Sequence, residues 1–370
     1  MFLSEIIIER IKKEGPLSFR DYMEMALYYP ELGYYNSPQD KVGANGDFYT
    51  SPNVSGDFGA MIGRQIEEMW EILEKKPFKI VEYGAGTGLL CHDILEYLKN
   101  NIPLYDNLNY CIIEKSASMR EIEKKHLLEK VSWHTSIKDI PKINGCVLSN
   151  ELVDNFSVHQ VIMEDQLMEI FVDYQNGFKE VFEPAKKELT DYFETLAVQL
   201  PKGFRTEVNL EAQSWIKEVA QSLRKGYMIT IDYGCLSSEL YSNRRSCGTL
   251  LCYNKHHKND NPYQFIGEQD ITSHTNFSAL CHWGSEYGMD YSGMVEQANF
   301  LLALGIKEHQ NIALIKNQHN LQLAAHEALM NYRLLVDMGM KFKVLIQQKG
   351  ILFQPLMGLK FLNSSRTILA

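Results

Sequence analysis

One string constrains this chain more than any other: IVEYGAGTGLLCHDIL, from Ile80 to Leu95. A short apolar run reads as a buried strand ending at Glu82-Tyr83. Glycines at 84, 86 and 88 make a turn around Ala85, and a helical pattern begins at once. Glycines serve such a turn because the backbone must bend tightly and let a ligand approach with no Cβ in the way. In open α/β sheets, ligands sit outside the carboxyl ends of the strands, which is where this turn lies.

The rest of the chain agrees with that architecture. After FKIVEYG come a helix (LLCHDILEYLKN), a strand (NYCIIEK), a second helix (SASMREIEKKHLLEK), and two further strands in VSWH and GCVLSN. Alternation of this kind predicts a parallel sheet covered on both faces. Residues 1–76 read as a helical cap with helices at 3–13, 18–27 and 53–74, broken by a long loop rich in tyrosine, Gly and Pro. Such loops are often functional. Residues 155–225 read as an α+β insertion, with antiparallel strands over 157–182 and helices at 186–199 and 209–224. The sheet domain then comprises 77–154 and 226–370. Helices are expected at 268–283, 292–304 and 316–337, and a terminal hairpin in KFKVLIQQKGILFQPL.

Two ligand classes compete for the glycine turn. A dinucleotide fingerprint needs G-x-G-x-x-G, but the third position is Leu89 and the spacing is G-x-G-x-G. S-adenosylmethionine (SAM) has no pyrophosphate to place on a helix terminus. It does carry an ammonium group, which Glu82 can help hold. Glu114 ends the second strand and is suited to accept from both ribose hydroxyls, a role shared by SAM and NAD sites. The spacing and Glu82 favour SAM; an NAD-dependent oxidoreductase and a purely structural turn are the alternatives.

A second strand end carries Asn150, Glu151, Asp154 and Asn155. The fourth strand of an outward-wound sheet lies beside the first, so this end faces the methyl donor. Methyl transfer is an in-line displacement in which positioning the nucleophile is most of the task. A guanidinium acceptor stays protonated and has no free lone pair. Carboxylates that bond its fork can orient it and take the departing proton. Glu151 and Asp154 are the candidates for catalysis; the plainer reading has Asn150 and Asp154 capping the next turn.

The remaining features exclude more than they assign. A net charge of −10 argues against a non-specific nucleic-acid binder. The seven cysteines form no C-x-x-C pair, so neither a disulfide framework nor a zinc knuckle is indicated. The histidines at 256, 257, 274 and 282 match no metal-ligand spacing, and no metal is expected. Glu5, Glu9 and Glu14 disfavour a transit peptide, and no run approaches the roughly 18 apolar residues of a membrane span. A cytoplasmic location is expected. Gly267, Asp270, Thr272 and His274 are secondary candidates for the active-site mouth, with Asp270 or Thr272 as a helix cap the alternative. Asp232-Tyr233-Gly234 ends a strand on the side of Glu82 and Glu151 and is a candidate to contact the acceptor, or a structural strand-to-loop turn. Tyrosines at 28, 29, 34, 35 and 49 suit a water-excluding wall or ordinary core packing.

Eight stretches, in order, resemble the MidA-like methyltransferases. They are GDFYTSPNVSGDFGAMIGRQI from Gly46, VEYGAGTG from Val81, IIEKSASMR from Ile112, SNELVDNFSVHQ from Ser149, IDYG from Ile231, GTLLCYNKHH from Gly248, GEQDITSHTNFSAL from Gly267 and MGMKFKVL from Met338. The resemblance implies a Rossmann-like α/β fold and a SAM-dependent enzyme. Mitochondrial members of that family methylate an arginine on a core subunit of respiratory complex I. By the same resemblance Gly84, Gly86 and Gly88 match the SAM loop, Glu114 the ribose acid, and Asn150-Glu151 the strand-end pair. Gly46, Asp47, Phe48 and Thr50 match an amino-terminal segment expected to close over cofactor or acceptor. The family's DALP after the Asn-Glu pair is replaced here by VDNFSV, with Asn155, Phe156 and Ser157 at the departing positions, which bears on the shape of the acceptor pocket. The lack of a transit peptide points to a bacterial member. The expectation is methyl transfer to a protein side chain, most of all an arginine nitrogen. A small-molecule methyltransferase and a non-catalytic SAM-binding assembly factor are the rivals.

Overall fold

A computed structural model describes residues 2–37, 51–125, 127, 129–255, 257–310, 329–330 and 332–362. The expected cofactor residues Gly46 and Thr50, their neighbours Asp47, Phe48 and Tyr49, His256, and most of the helix expected at 316–337 lie outside that set. The chain divides into two units: Met1–Phe48, Val153–Trp215 and Cys235–His282 form one, and Tyr49–Leu152, Ile216–Gly234 and Trp283–Ala370 the other.

The second unit is built on seven strands of one sheet: β1 Phe78–Tyr83, β2 Leu108–Ile113, β3 Val131–His134, β4 Ile143–Asn150, β5 Leu223–Cys235, β6 Asp290–Glu296 and β7 Phe342–Lys349. Their spatial order is β6-β7-β5-β4-β1-β2-β3. Strands β1 to β5 pair in parallel, and β7 runs antiparallel to both β5 and β6. The near-continuous apolar runs of β1, β4 and β5 are buried, as parallel strands with both faces covered require. This is a Rossmann-like α/β sheet wound outward from β1.

Helix α1, Gly56–Ile72, and helix α2, Leu89–Leu98, share one core cluster with the sheet, through Phe58, Ile62 and Met69 on the first and Ile94 and Leu98 on the second. Gly59 and Gly63 explain the close approach of α1. A Cβ on Gly59 would stand 2.4 Å from the Asp93 Cβ, and one on Gly63 2.8 Å from the Tyr97 ring. The sequence expectation put α1 in the amino-terminal cap; the glycine face instead groups it with the sheet unit.

The first unit holds helices Leu3–Glu14 and Phe19–Tyr28 and a five-stranded antiparallel sheet of Leu17–Ser18, His159–Met163, Leu167–Tyr174, Phe178–Pro184 and Arg205–Val208. Ile7, Phe19, Tyr22, Val158 and Val172 pack with Cys252 and Ile271 in one core, which draws 235–282 into this unit rather than the sheet domain. The hairpin expected at Asn176-Gly177 is present, with Asn176 at φ 56°.

Two helix expectations fail for the same reason. Residues 292–304 divide into β6 and a helix Gln297–Ala303, and 268–283 divide into a strand Asp270–Thr272 and a helix Phe277–Glu286. Short apolar runs do not separate helix from strand by period alone, and pairing partners decide. β6 is claimed by β7, and Asp270–Thr272 by Leu251–Asn254. The helix after 276 is capped by Asn276, whose Oδ1 accepts from the Ala279 N–H at 3.2 Å, and neither Asp270 nor Thr272 has that role. The terminal hairpin is also absent: β7 pairs with β5 and β6 and not with the segment that follows it.

Helix propensity favours alanine over glycine by roughly 1 kcal/mol, whereas an overpacked core contact costs about 1–3 kcal/mol. Gly59→Ala is therefore expected to lower unfolding stability, read by urea titration. Stability equal to the parent would show that the helix pair does not depend on this close approach.

Candidate active site

The turn after β1 is built from three left-handed glycines, Gly84 at φ 63°, Gly86 at 58° and Gly88 at 81°. Side chains other than glycine seldom adopt this region. The Gly84 N–H donates to Ile113 O at 3.0 Å and the Gly88 N–H to Ala85 O at 2.8 Å. The Gly88 carbonyl then accepts from the His92 N–H at 3.0 Å and starts α2. A Cβ on Gly88 would lie 3.2 Å from Leu127 Cδ1, and one on Gly84 3.1 Å from Leu152 Cδ1. Among the described residues, a Cβ at Gly86 would meet nothing within 4 Å.

Register brings three strand ends to one level. Tyr83 stands opposite both Ile113 and Ser149, so Gly84, Glu114 and Asn150 are each the next residue along neighbouring strands. Glu114 Oε1 accepts from the Ser116 N–H at 2.7 Å, and burial raises its pKa above the ordinary value. Asn150 donates through Nδ2 to Glu151 Oε1 at 3.2 Å. Its Oδ1 is buried with no hydrogen-bond partner among the described residues. An orphaned acceptor beside a glycine turn, with a carboxylate one strand beyond, fits a ligand carrying an ammonium group and a diol. SAM has both.

Glu151 sits at φ 52°, an unusual backbone for a residue with a long side chain. Its N–H donates to Ile231 O at 2.9 Å. Its Oε1 accepts from the Ser51 N–H at 3.1 Å as well as from Asn150. Ser51 is buried, and its hydroxyl donates to Gln297 Oε1 at 3.3 Å. Sequence reading singled out neither Ser51 nor Gln297; Ser51 does fall in the stretch from Gly46 that resembles the MidA-like family, whereas no local signal marks Gln297.

Glu82 lies in the interior below the turn, where its Oε2 accepts from the Tyr110 hydroxyl at 2.7 Å. Burial pushes its pKa up to about 7. Glu123, another residue the sequence did not single out, is fully buried on the helix Ala117–Glu123, with Oε2 accepting from Trp133 Nε1 at 2.7 Å. Its pKa rises to about 8, first through burial and then through the Glu114 charge.

Asp154 is buried in the first unit, on the turn Val153–Asn155, and its carbonyl accepts from the Ser273 N–H at 3.0 Å. Asp270 accepts from the Tyr35 hydroxyl at 2.9 Å in the same unit, with Tyr35 stacked on Tyr28. Asp232 is buried near the end of β5 and accepts from the Tyr233 N–H at 2.9 Å. His274 is held neutral, its pKa lowered to about 4 by burial and then by Arg245. Among the described residues no group of three His, Cys, Asp or Glu could hold a metal ion.

Glu82 and Glu123 both have folded pKa values above the ordinary 4.5. Folding therefore takes up protons, and the stability linked to these groups is present below about pH 4.5 and is lost as pH rises through about 7 and 8. Replacing both by Gln keeps an acceptor for Tyr110 and Trp133 and removes the titration. The doubly substituted protein is expected to show a flatter fall in urea stability between about pH 5 and about pH 9 than the parent. Identical pH profiles would sink the assignment.

The family model described as "Putative S-adenosyl-L-methionine-dependent methyltransferase" matches residues 61–295. The chain is 28% identical to the Bos taurus mitochondrial protein arginine methyltransferase NDUFAF7, over 92% of this chain and 81% of that protein. It is 26% identical to the Caenorhabditis elegans homolog, over 92% and 85%. A Burkholderia thailandensis protein of the COG1565 superfamily, crystallised with S-adenosyl-homocysteine, superimposes with a TM-score of 0.87. It is 29% identical, and the match covers 98% of this chain and 95% of that one. Together with the glycine turn and its strand-end partners, these matches establish that the chain belongs to this family of SAM-dependent methyltransferases.

Proposed function

We propose that this methyltransferase modifies an arginine guanidinium nitrogen of a protein, with Glu151 receiving the acceptor. The observation that carries the reading is Glu151 itself: a carboxylate at the end of β4, next to the glycine turn of β1, on a strained backbone and braced by Ser51 and Asn150. SAM supplies an electrophilic methyl group on its sulfonium. Gly84, Ala85, Gly86 and Gly88 would leave room for it, Glu114 would hold the ribose, and the Asn150 carbonyl would accept from its ammonium. Glu82, already bonded to Tyr110, would act from beneath the turn.

A guanidinium is protonated at any physiological pH, so its nitrogen lone pair is delocalised. A carboxylate that bonds the fork orients one nitrogen, localises the positive charge on the others, and accepts the proton released on alkylation. Bracing by two donors holds the Glu151 carboxylate in place for that task. The curated relatives named as protein arginine methyltransferases support the choice of arginine.

The narrower reading, an acceptor within a respiratory complex, rests on the MidA-like resemblance. A cytoplasmic site of action is part of the same proposal: the seven cysteines form no C-x-x-C pair and suit a reducing compartment. Among the described residues no helix is long and apolar enough to cross a membrane.

Two variants separate binding from chemistry. Glu151→Gln is expected to lower methyl transfer by about 100-fold or more while leaving S-adenosylhomocysteine affinity within about threefold. Glu114→Ala loses charge-assisted hydrogen bonds and is expected to weaken that affinity by about tenfold or more. Calorimetry reads the second. Radiolabelled SAM in a lysate lacking the native protein, followed by identification of the labelled residue, reads the first. Full transfer by Glu151→Gln, or label on a small molecule, would overturn the assignment.

A further inference from the structure

The first unit carries a groove of about 500 Å³ that methyl transfer does not call for. Its floor is aromatic: Phe178 and Tyr263 lie 6.2 Å apart with their planes at 17°. The Tyr263 hydroxyl donates to Glu180 Oε1 at 2.9 Å, and Glu180 is in turn paired with Arg205, which holds the ring in place from outside the groove. Phe2 and Phe265 form the rim, 74% and 53% exposed. Among the described residues, Glu31 and Glu268 are the charged residues of the lining, and no Lys, Arg or His joins them.

Two of the rim residues take a backbone that costs free energy. Glu31 is at φ 62° and Phe265 at φ 46°. A bulky side chain in the left-handed region is strained, and that strain concentrates where a surface is shaped for a ligand. Phe265 gains little in exchange, since its ring points largely into solvent. Gly267 draws the same loop tight: a Cβ there would stand 2.4 Å from Leu32 O. The loop is thus fixed in a shape that presents an aromatic ring to water beside two carboxylates.

Charge decides what fits. Exposed rings next to carboxylates favour cations, which bind aromatic faces and carboxylates together. An anionic lipid surface would meet Glu31 and Glu268 with like charge, and a second copy of this chain would bring a net charge of −10. We propose that the groove docks an extended segment of the protein substrate in which apolar or aromatic side chains alternate with cationic ones. The inference rests on the reading that the methyl acceptor is a protein, and it assigns part of substrate recognition to residues outside the cofactor turn.

Three fluorescein-labelled peptides test it on the full chain by anisotropy at low salt: Lys-Phe-Lys-Phe-Lys, Glu-Phe-Glu-Phe-Glu and Lys-Gly-Lys-Gly-Lys. None carries arginine, so docking is read apart from methyl transfer. S-adenosylhomocysteine calorimetry on the same preparations reads the cofactor site separately. The Lys-Phe peptide is expected to bind, with at least about tenfold weaker binding of the other two. The double variant Glu31→Gln/Glu268→Gln and the variant Phe265→Gly should each weaken it by at least about fivefold, with cofactor affinity unchanged. Glycine suits the left-handed backbone, so Phe265→Gly removes the ring while relieving strain. The proposal is overturned by no anisotropy change up to about 1 mM Lys-Phe peptide, by equal binding of all three peptides, or by variants that bind as the parent does. A concentration-dependent dimer in light scattering that Phe265→Gly abolishes would overturn it in favour of a second copy.

Discussion

The parallel pairing of β1 with β2 and β4 is the constraint on which the rest depends. Hydrogen bonds between parallel strands fix their relative register, and here Tyr83 is locked opposite Ile113 and Ser149. The next residues along the three strands therefore end at one level, with Gly84 in the middle and Glu114 and Asn150 on either side. The sheet thereby brings these three groups to neighbouring positions. β5 continues the row, with Ile231 opposite Asn150 and its carbonyl accepting from Glu151.

Electrostatics below the turn follow from burial. Glu82 and Glu123 are carried into an apolar interior with one strong donor each, Tyr110 and Trp133. A single neutral hydrogen bond does not repay the desolvation of a carboxylate, so both groups hold their protons to higher pH. Glu151 has the opposite surroundings. Two N–H donors, from Ser51 and Asn150, converge on one of its oxygens.

The first unit solves a different packing problem. Its helices Leu3–Glu14 and Phe19–Tyr28 cover an antiparallel sheet through large apolar side chains, among them Phe19, Tyr22 and Val172. Tyr22, Phe178 and Tyr263 extend that core as a run of rings whose last members reach the surface groove. An aromatic core that emerges at a rim of carboxylates presents apolar area and negative charge in one place.

Much of this was legible in the residues. The turn at 84–88, the strand before it, the parallel alternation that follows, the acid at Glu114 and the strand end at Asn150-Glu151 all lie in short local patterns: glycines at fixed spacing, apolar runs, and a polar residue just after each run. Local chemistry sets these, so the sequence alone determined the fold class and the position of the glycine turn. Three-dimensional packing decided the rest. Residues 290–296 became a strand because β7 offered an edge to pair with, and α1 joined the sheet because Gly59 and Gly63 let it sit against α2. The brace from Ser51 to Glu151 spans 100 residues, and the groove gathers Phe2, Glu31, Phe178 and Phe265 from four distant segments. Contacts between residues so far apart carry no local period or spacing, and only the closing of the chain on itself brings them into being.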